Sequence, residues 1–269
     1  MSFLILIIGF ALLIKGADVF VEGASSIAKK FNVPSMIIGL TIVAMGTSAP
    51  EAAVSVTSSL AGQNDMSVAN VVGSNFFNVL VVLGVSSIIA KLPVQEETIK
   101  KDTPFLILVS ILLLVFGINL KLGRIEGLAL LGLFTYFLVN TIKSAKKATE
   151  DDSLETGETA IAIETQTSSE ISLPKTILVS LIGIAGIVLG GDMVVNSATS
   201  IATSLGMSAN LVGLTIVAVG TSLPEFVTSI VAIKKGETEI AIGNVIGSNL
   251  FNILLVLGLA AVINPISMS

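Results

Sequence analysis

Eight stretches of this chain are long and apolar enough to cross a bilayer, and that feature decides most of what it can fold into. Residues 3–22, 34–61, 66–90, 104–120, 125–142, 174–195, 207–233 and 240–263 each meet or nearly meet the requirement of about 20 apolar residues per crossing. A soluble core wrapped in polar surface cannot be drawn from such a chain: 53% of its 269 residues are hydrophobic, 12% are charged and the mean hydropathy is +0.97. The expectation is an all-α polytopic membrane protein with eight transmembrane helices. No basic segment precedes the first window and no small-residue cleavage site follows it, so it reads as a retained helix rather than a signal peptide.

The basic residues sort by side. With the connections alternating across the membrane, one face collects Lys29, Lys30, Lys91, Lys100, Lys101, Lys143, Lys146, Lys147, Lys175, Lys234 and Lys235; the other has Lys121 and Arg124, and Lys15 inside the first window completes the 14. Lysine and arginine favour cytoplasmic loops, so the first face is expected in the cytoplasm, with the N-terminus outside and the chain crossing the cell membrane many times. The longest connection, 143–173, is rich in Ser, Thr and Glu and has no sustained apolar period, which predicts a mobile cytoplasmic linker. Its acids, Glu150, Asp151, Asp152, Glu155, Glu158, Glu164 and Glu170, lack calcium-loop spacing and read as a solvated charge run.

Cysteine and histidine are absent, which removes disulfides, thiolate and imidazole metal sites, thiol nucleophiles and imidazole acid–base chemistry together. No cofactor is expected. The net charge of −5 and the scattering of the lysines between windows argue against nucleic acid as a partner.

An internal duplication organises the chain. The stretch "GLTIVAMGTSAPE", 39–51, recurs as "GLTIVAVGTSLPE", 213–225, an offset of 174. The same offset relates Gly9 to Gly183, Gly16 to Gly190, Asp18 to Asp192, Asn70 to Asn244, Gly73-Ser74-Asn75 to Gly247-Ser248-Asn249, Asn78 to Asn252 and Leu83-Gly84 to Leu257-Gly258. Such a match without insertions is a duplication. Residues 1–142 form a first repeat of five helices, 143–173 the linker and 174–269 a second repeat of three. Because five is odd, the second copy starts from the opposite side: the repeats are inverted, a recurring build of secondary transporters whose substrate site lies near the midplane between the copies.

The duplicated motifs carry the polar chemistry. Pro50 and Pro224 have no amide hydrogen, and Gly46 and Gly220 add freedom, so each helix is expected to break near Thr47-Ser48 and Thr221-Ser222. Irregular backbone at that depth is tolerated only inside protein or along a wet cavity. Carbonyls, hydroxyls and a carboxylate there form an all-oxygen surface suited to hard cations. An ionised acid at mid-bilayer costs at least about 2.5–3.5 kcal/mol, and Glu51 and Glu225 have no Lys or Arg near them in the windows that carry the motifs. Either a bound cation or a proton must compensate them. Ser74 and Asn78, like Ser248 and Asn252, stand four apart and share a helical face, where they either add neutral ligands or join helices by hydrogen bonds. Asn75 and Asn249 point elsewhere on the helix and are weaker ligand candidates. Asp18 and Asp192 follow small residues and suit capping or packing, and Lys15 and Glu22 have no charged counterparts in the second copy.

These motifs resemble those of the cation/Ca²⁺ exchanger superfamily, the prokaryotic Na⁺/Ca²⁺ exchanger group in particular, whose two repeats carry "GTS.PE" and "GS(N)..N" signatures. The resemblance spans nearly the whole chain. It implies that Glu51 and Glu225 are the principal Ca²⁺ and Na⁺ ligands, joined by Thr47, Ser48, Thr221, Ser222, Ser74, Ser248, Asn78, Asn252 and the carbonyls of Ala44 and Ala218. It also implies alternating access, with the first and sixth helices sliding as a pair past the rest. The partners expected are then the lipid bilayer, Ca²⁺ and Na⁺, or H⁺ in place of Na⁺, with the oligomeric state left open.

Two departures stand out. Some members carry an aspartate where this chain has Asn252. Members that it looks like have ten helices, the last two lacking counterparts here, and the flanks that pair would cover are expected to face lipid. Besides Na⁺/Ca²⁺ antiport, three readings stay in play: a Ca²⁺/H⁺ exchanger, a membrane hydrolase using the paired glutamates as acid and base, and an inactive fragment that scaffolds a partner. The likeness of the two glutamate environments argues against the hydrolase, because acid and base need unlike surroundings.

Overall fold

The computed structural model describes residues 1–156, 173–208, 215–216 and 218–267. Its helices are α1 (Ser2–Phe31), α2 (Ser35–Thr47), α3 (Ala49–Leu60), α4 (Met66–Ile89), α5 (Thr98–Asn119), α6 (Arg124–Thr156), α7 (Leu173–Ser204), α8 (Leu223–Lys234) and α9 (Thr238–Ile263), with a short turn at Ala218–Gly220 before α8. Their ends follow from local chemistry. α1 stops where Asn32 turns left-handed (φ 52°, ψ 39°), after Lys29 and Lys30 in its last turn, where cations offset the carbonyl end of the helix.

Not all of the eight expected spans are found as single helices. Among the described residues six helices are long and apolar enough to cross a membrane: α1, α4, α5, α6, α7 and α9. The second expected span is instead the pair α2 and α3, bent by 48° at Ser48, because Pro50 cannot continue the ladder of the preceding turn. The seventh, 207–233, runs partly outside the described residues; what is described is the turn Ala218–Gly220, a break at Thr221-Ser222, and α8. Both motif-bearing spans are thus broken at the same repeat position. The predicted linker 143–173 begins as helix, since α6 extends to Thr156, and residues 157–172 lie outside the described set.

Connections expected on one face do meet. Lys29 pairs with Glu237 at 3.6 Å and Gln95 donates to Glu239 at 2.5 Å, joining three connections of the lysine-rich face. On the other face β1 (Lys121–Leu122) pairs antiparallel with β2 (Ile266–Ser267), just after α9. Asp18 takes an ion pair from Lys235 at 2.9 Å, not a capping role, while Asp192 is exposed.

Two packing centres hold the bundle. α9 is central: Leu250, Leu254, Leu257 and Ala260 are fully buried against Val109 of α5 and Leu130, Phe134 and Phe137 of α6, with Phe134 edge-on to Phe251 at 5.3 Å. In lipid such contacts stabilise through close fit rather than water exclusion. The second centre joins α1 to α7, where a Cβ at Gly16 would sit 2.7 Å from the Ile187 nitrogen and one at Gly190 2.5 Å from the Leu13 nitrogen. Only glycine permits backbones that close. α4, the repeat mate of α9, is bare where α9 is covered: Phe76 and Leu80 are 64% and 68% exposed, whereas Leu250 and Leu254 are both 0%.

Candidate cation site

The two broken spans bring the duplicated motifs together. Glu51 lies in the first turn of α3 and Glu225 in the first turn of α8, each just after its proline. There the free amides and dipole of a helix N-terminus favour negative charge. Both side chains are fully buried. Each also reaches into the opposite repeat: Ser48 donates to Glu225 Oε1 at 2.8 Å, and Ser222 donates to Glu51 Oε1 at 3.3 Å. Ser74 and Ser248, one on α4 and one on α9, add bonds of 3.3 and 3.4 Å to the glutamate of their own copy. No ion pair among the described residues involves either glutamate.

The oxygens left over define the centre. Glu51 Oε2, Glu225 Oε2, Asn78 Oδ1 and Asn252 Oδ1 are all buried and have no hydrogen-bond partner. Buried acceptors of this strength are normally satisfied, and these four orphans come from matching positions of the two repeats, which makes them candidate ligands. They are two carboxylate and two amide oxygens, the donor type of hard cations. Asn78 and Asn252 each open a π-helical turn, Asn78–Val82 and Asn252–Leu257, a local widening common at functional positions.

The remaining candidates occupy the wall of the site. Thr47, fully buried, donates to Asn244 Oδ1 at 3.0 Å, and Thr221 donates to Asn70 Oδ1 at 3.3 Å. The carbonyl of Ala44 accepts from the Ser48 amide at 3.0 Å, which leaves it a second lone pair. Ala218 belongs to the turn Ala218–Gly220.

Sequence reasoning passed over Asn70, Asn244, Ser55 and Ser229. Asn70 donates to the Glu51 carbonyl at 3.3 Å and to Ser55 Oγ at 3.0 Å; Asn244 does the same to the Glu225 carbonyl and Ser229 Oγ at the same two distances. They clamp the turn behind each glutamate to the hinge threonine of the other copy. The signal was present, since both pairs are identical across the repeat.

Comparison with known proteins decides the family. The family model described as sodium/calcium exchanger protein matches residues 1–143 and 175–269. The chain belongs to the sodium/calcium exchanger family. Among relatives of this exchanger-family chain, the putative antiporter CaxA of Alkalimonas amylolytica is 44% identical over 96% of the chain and 80% of that protein. The sodium/calcium exchanger MaX1 of Methanosarcina acetivorans is 33% identical, covering 100% and 85%. A solved structure, the sodium-calcium exchanger NCX_Mj soaked with 10 mM Na⁺ and zero Ca²⁺, superposes with a TM-score of 0.85 at 32% identity, over all of this chain and 84% of that one. The chain is therefore a multi-pass membrane protein of a cation-exchanger family, with the helical architecture of NCX_Mj.

Proposed function

We propose that the protein exchanges Ca²⁺ for Na⁺ across the cell membrane by alternating access, with Glu51 and Glu225 binding the ions in turn. The observation that carries this reading is the set of four orphaned buried oxygens, two of them on carboxylates that have no basic partner. Thr47, Ser48, Ser74, Thr221, Ser222 and Ser248 hold the carboxylates or line the approach, and Asn78 and Asn252 supply neutral oxygens. The close glycine packing of α1 on α7 supports a pair that moves as one body. The lysine-rich connections face the cytoplasm on this reading.

The same set supports a second reading, Ca²⁺/H⁺ exchange, because two carboxylates take two protons as readily as one Ca²⁺. Charge separates the two. Three Na⁺ against one Ca²⁺ moves one net charge, worth about 2.3 kcal/mol per 100 mV, whereas two protons for one Ca²⁺ moves none.

The decisive experiment is ⁴⁵Ca²⁺ uptake into proteoliposomes. An outward Na⁺ gradient should drive uptake in the wild type, and Glu51→Gln and Glu225→Gln should each abolish it. Uptake driven by a pH gradient alone would replace Na⁺ by H⁺, and uptake that survives either substitution would remove the shared site.

A further inference from the structure

Asn75 and Asn249 stand behind the orphaned amide oxygens in a closed pattern. Asn75 Nδ2 donates to the Asn249 backbone carbonyl at 3.2 Å, and Asn249 Nδ2 returns a bond to the Asn75 carbonyl at 3.4 Å. A carbonyl only accepts, so these two bonds fix which way each amide faces and turn both Oδ1 atoms toward the next pair. Asn75 Oδ1 accepts from Asn252 Nδ2, and Asn249 Oδ1 accepts from Asn78 Nδ2, both at 3.1 Å. Those acceptors can bind only the nitrogen end of the next amide. Oxygen is therefore the end left free, and Asn78 Oδ1 and Asn252 Oδ1 are the two amide atoms without partners.

Resting on the cation-site reading above, we propose that Asn75 and Asn249 are positioning residues, which lock the amides of Asn252 and Asn78 with oxygen toward the ions. Each lock crosses between repeats. A free asparagine amide presents a donor as readily as an acceptor, and its NH₂ end would repel a cation and bond a glutamate instead. The lock gives the site two neutral oxygen ligands without adding charge. It also follows that a carboxylate at 78 or 252 needs no lock, since both of its ends are oxygen.

That difference supplies the test. Ca²⁺ binding to the purified full chain is measured by calorimetry for wild type, Asn75→Leu, Asn252→Asp and the double variant. Asn75→Leu should weaken binding by roughly tenfold or more, the usual range for a group that orients a ligand. In the Asn252→Asp background the same change should weaken it by less than about threefold, a coupling expected of groups that act through one another. A loss of equal size in both backgrounds, or none in either, overturns the proposal by making Asn75 a packing residue. Should Asn75→Leu not fold, Asn249→Ser with and without Asn78→Asp makes the same comparison on the symmetric arm. Glu51→Gln and Glu225→Gln are assayed alongside: if they still bind Ca²⁺, the site reading itself fails, whereas their loss with an uncoupled Asn75 sinks only the lock.

Discussion

At the residue scale the two copies are similar but unequal, and the inequality can be measured. The bond from Ser48 to Glu225 is 2.8 Å, and the matching bond from Ser222 to Glu51 is 3.3 Å. Hydrogen bonds to charged groups contribute about 1.5–3 kcal/mol, the shorter ones more. Ser48→Ala should therefore weaken Ca²⁺ binding roughly tenfold, and Ser222→Ala by less, with calorimetric Kd values as the check. Equal losses would overturn the inequality, and no loss from either would mean that neither serine orients its carboxylate. The burial of Glu51 and Glu225 without a basic partner was legible in the sequence, because the windows that carry them hold no Lys or Arg nearby. Asn75 and Asn249 were harder to read. Their partners lie in the other copy, and only contact between the two copies reveals where they go.

At the scale of elements, proline and close packing set what each helix can do. The 48° break between α2 and α3 was foreseen from Pro50 and Gly46, since a missing amide hydrogen is visible in one dimension. The π-helical turns at Asn78 and Asn252 were not, because nothing in composition marks one extra residue per turn. In α1, Gly16→Val would drive a side chain into the Ile187 backbone. Such overpacking costs about 1–3 kcal/mol, so the thermal midpoint in detergent should fall and exchange should slow together; an unchanged midpoint would show that the helices separate freely there. Lys235 ties α1 to the connection between α8 and α9 through Asp18 at 2.9 Å and Glu22 at 3.4 Å. The Asp18 carboxylate holds Lys235 above the usual lysine value. A raised pKa stabilises fully below the unfolded value and fades as pH rises through the folded one. The stability difference between wild type and Lys235→Gln should thus stay flat from about pH 6 to 9 and shrink only above about 10.4, and it should not exceed about 1 kcal/mol for so exposed a pair.

Over the whole molecule, the reading that Ca²⁺ is exchanged for three Na⁺ predicts voltage dependence. With equal Na⁺ on both sides, a potassium diffusion potential, positive inside when Ca²⁺ leaves with Na⁺ entering, should oppose Ca²⁺ exit by about 2.3 kcal/mol per 100 mV. Fluxes indifferent to potential would favour the electrically silent exchange of two protons. Architecture at this scale was legible in part: the apolar windows marked an all-helical membrane protein, and the offset of 174 with the odd helix count raised the expectation of inverted repeats. Hydropathy alone counts a broken span as a whole one, and the breaks could be read only from Pro50 and Pro224. Matching hydrogen bonds run through the centre, Ser48 to Glu225 as Ser222 to Glu51, and Asn70 to Ser55 as Asn244 to Ser229. On the exchanger reading, the doorways to the two compartments are near copies of each other. Such a machine has no built-in forward gear, and whether calcium is expelled or admitted is decided by the concentrations it finds on either side.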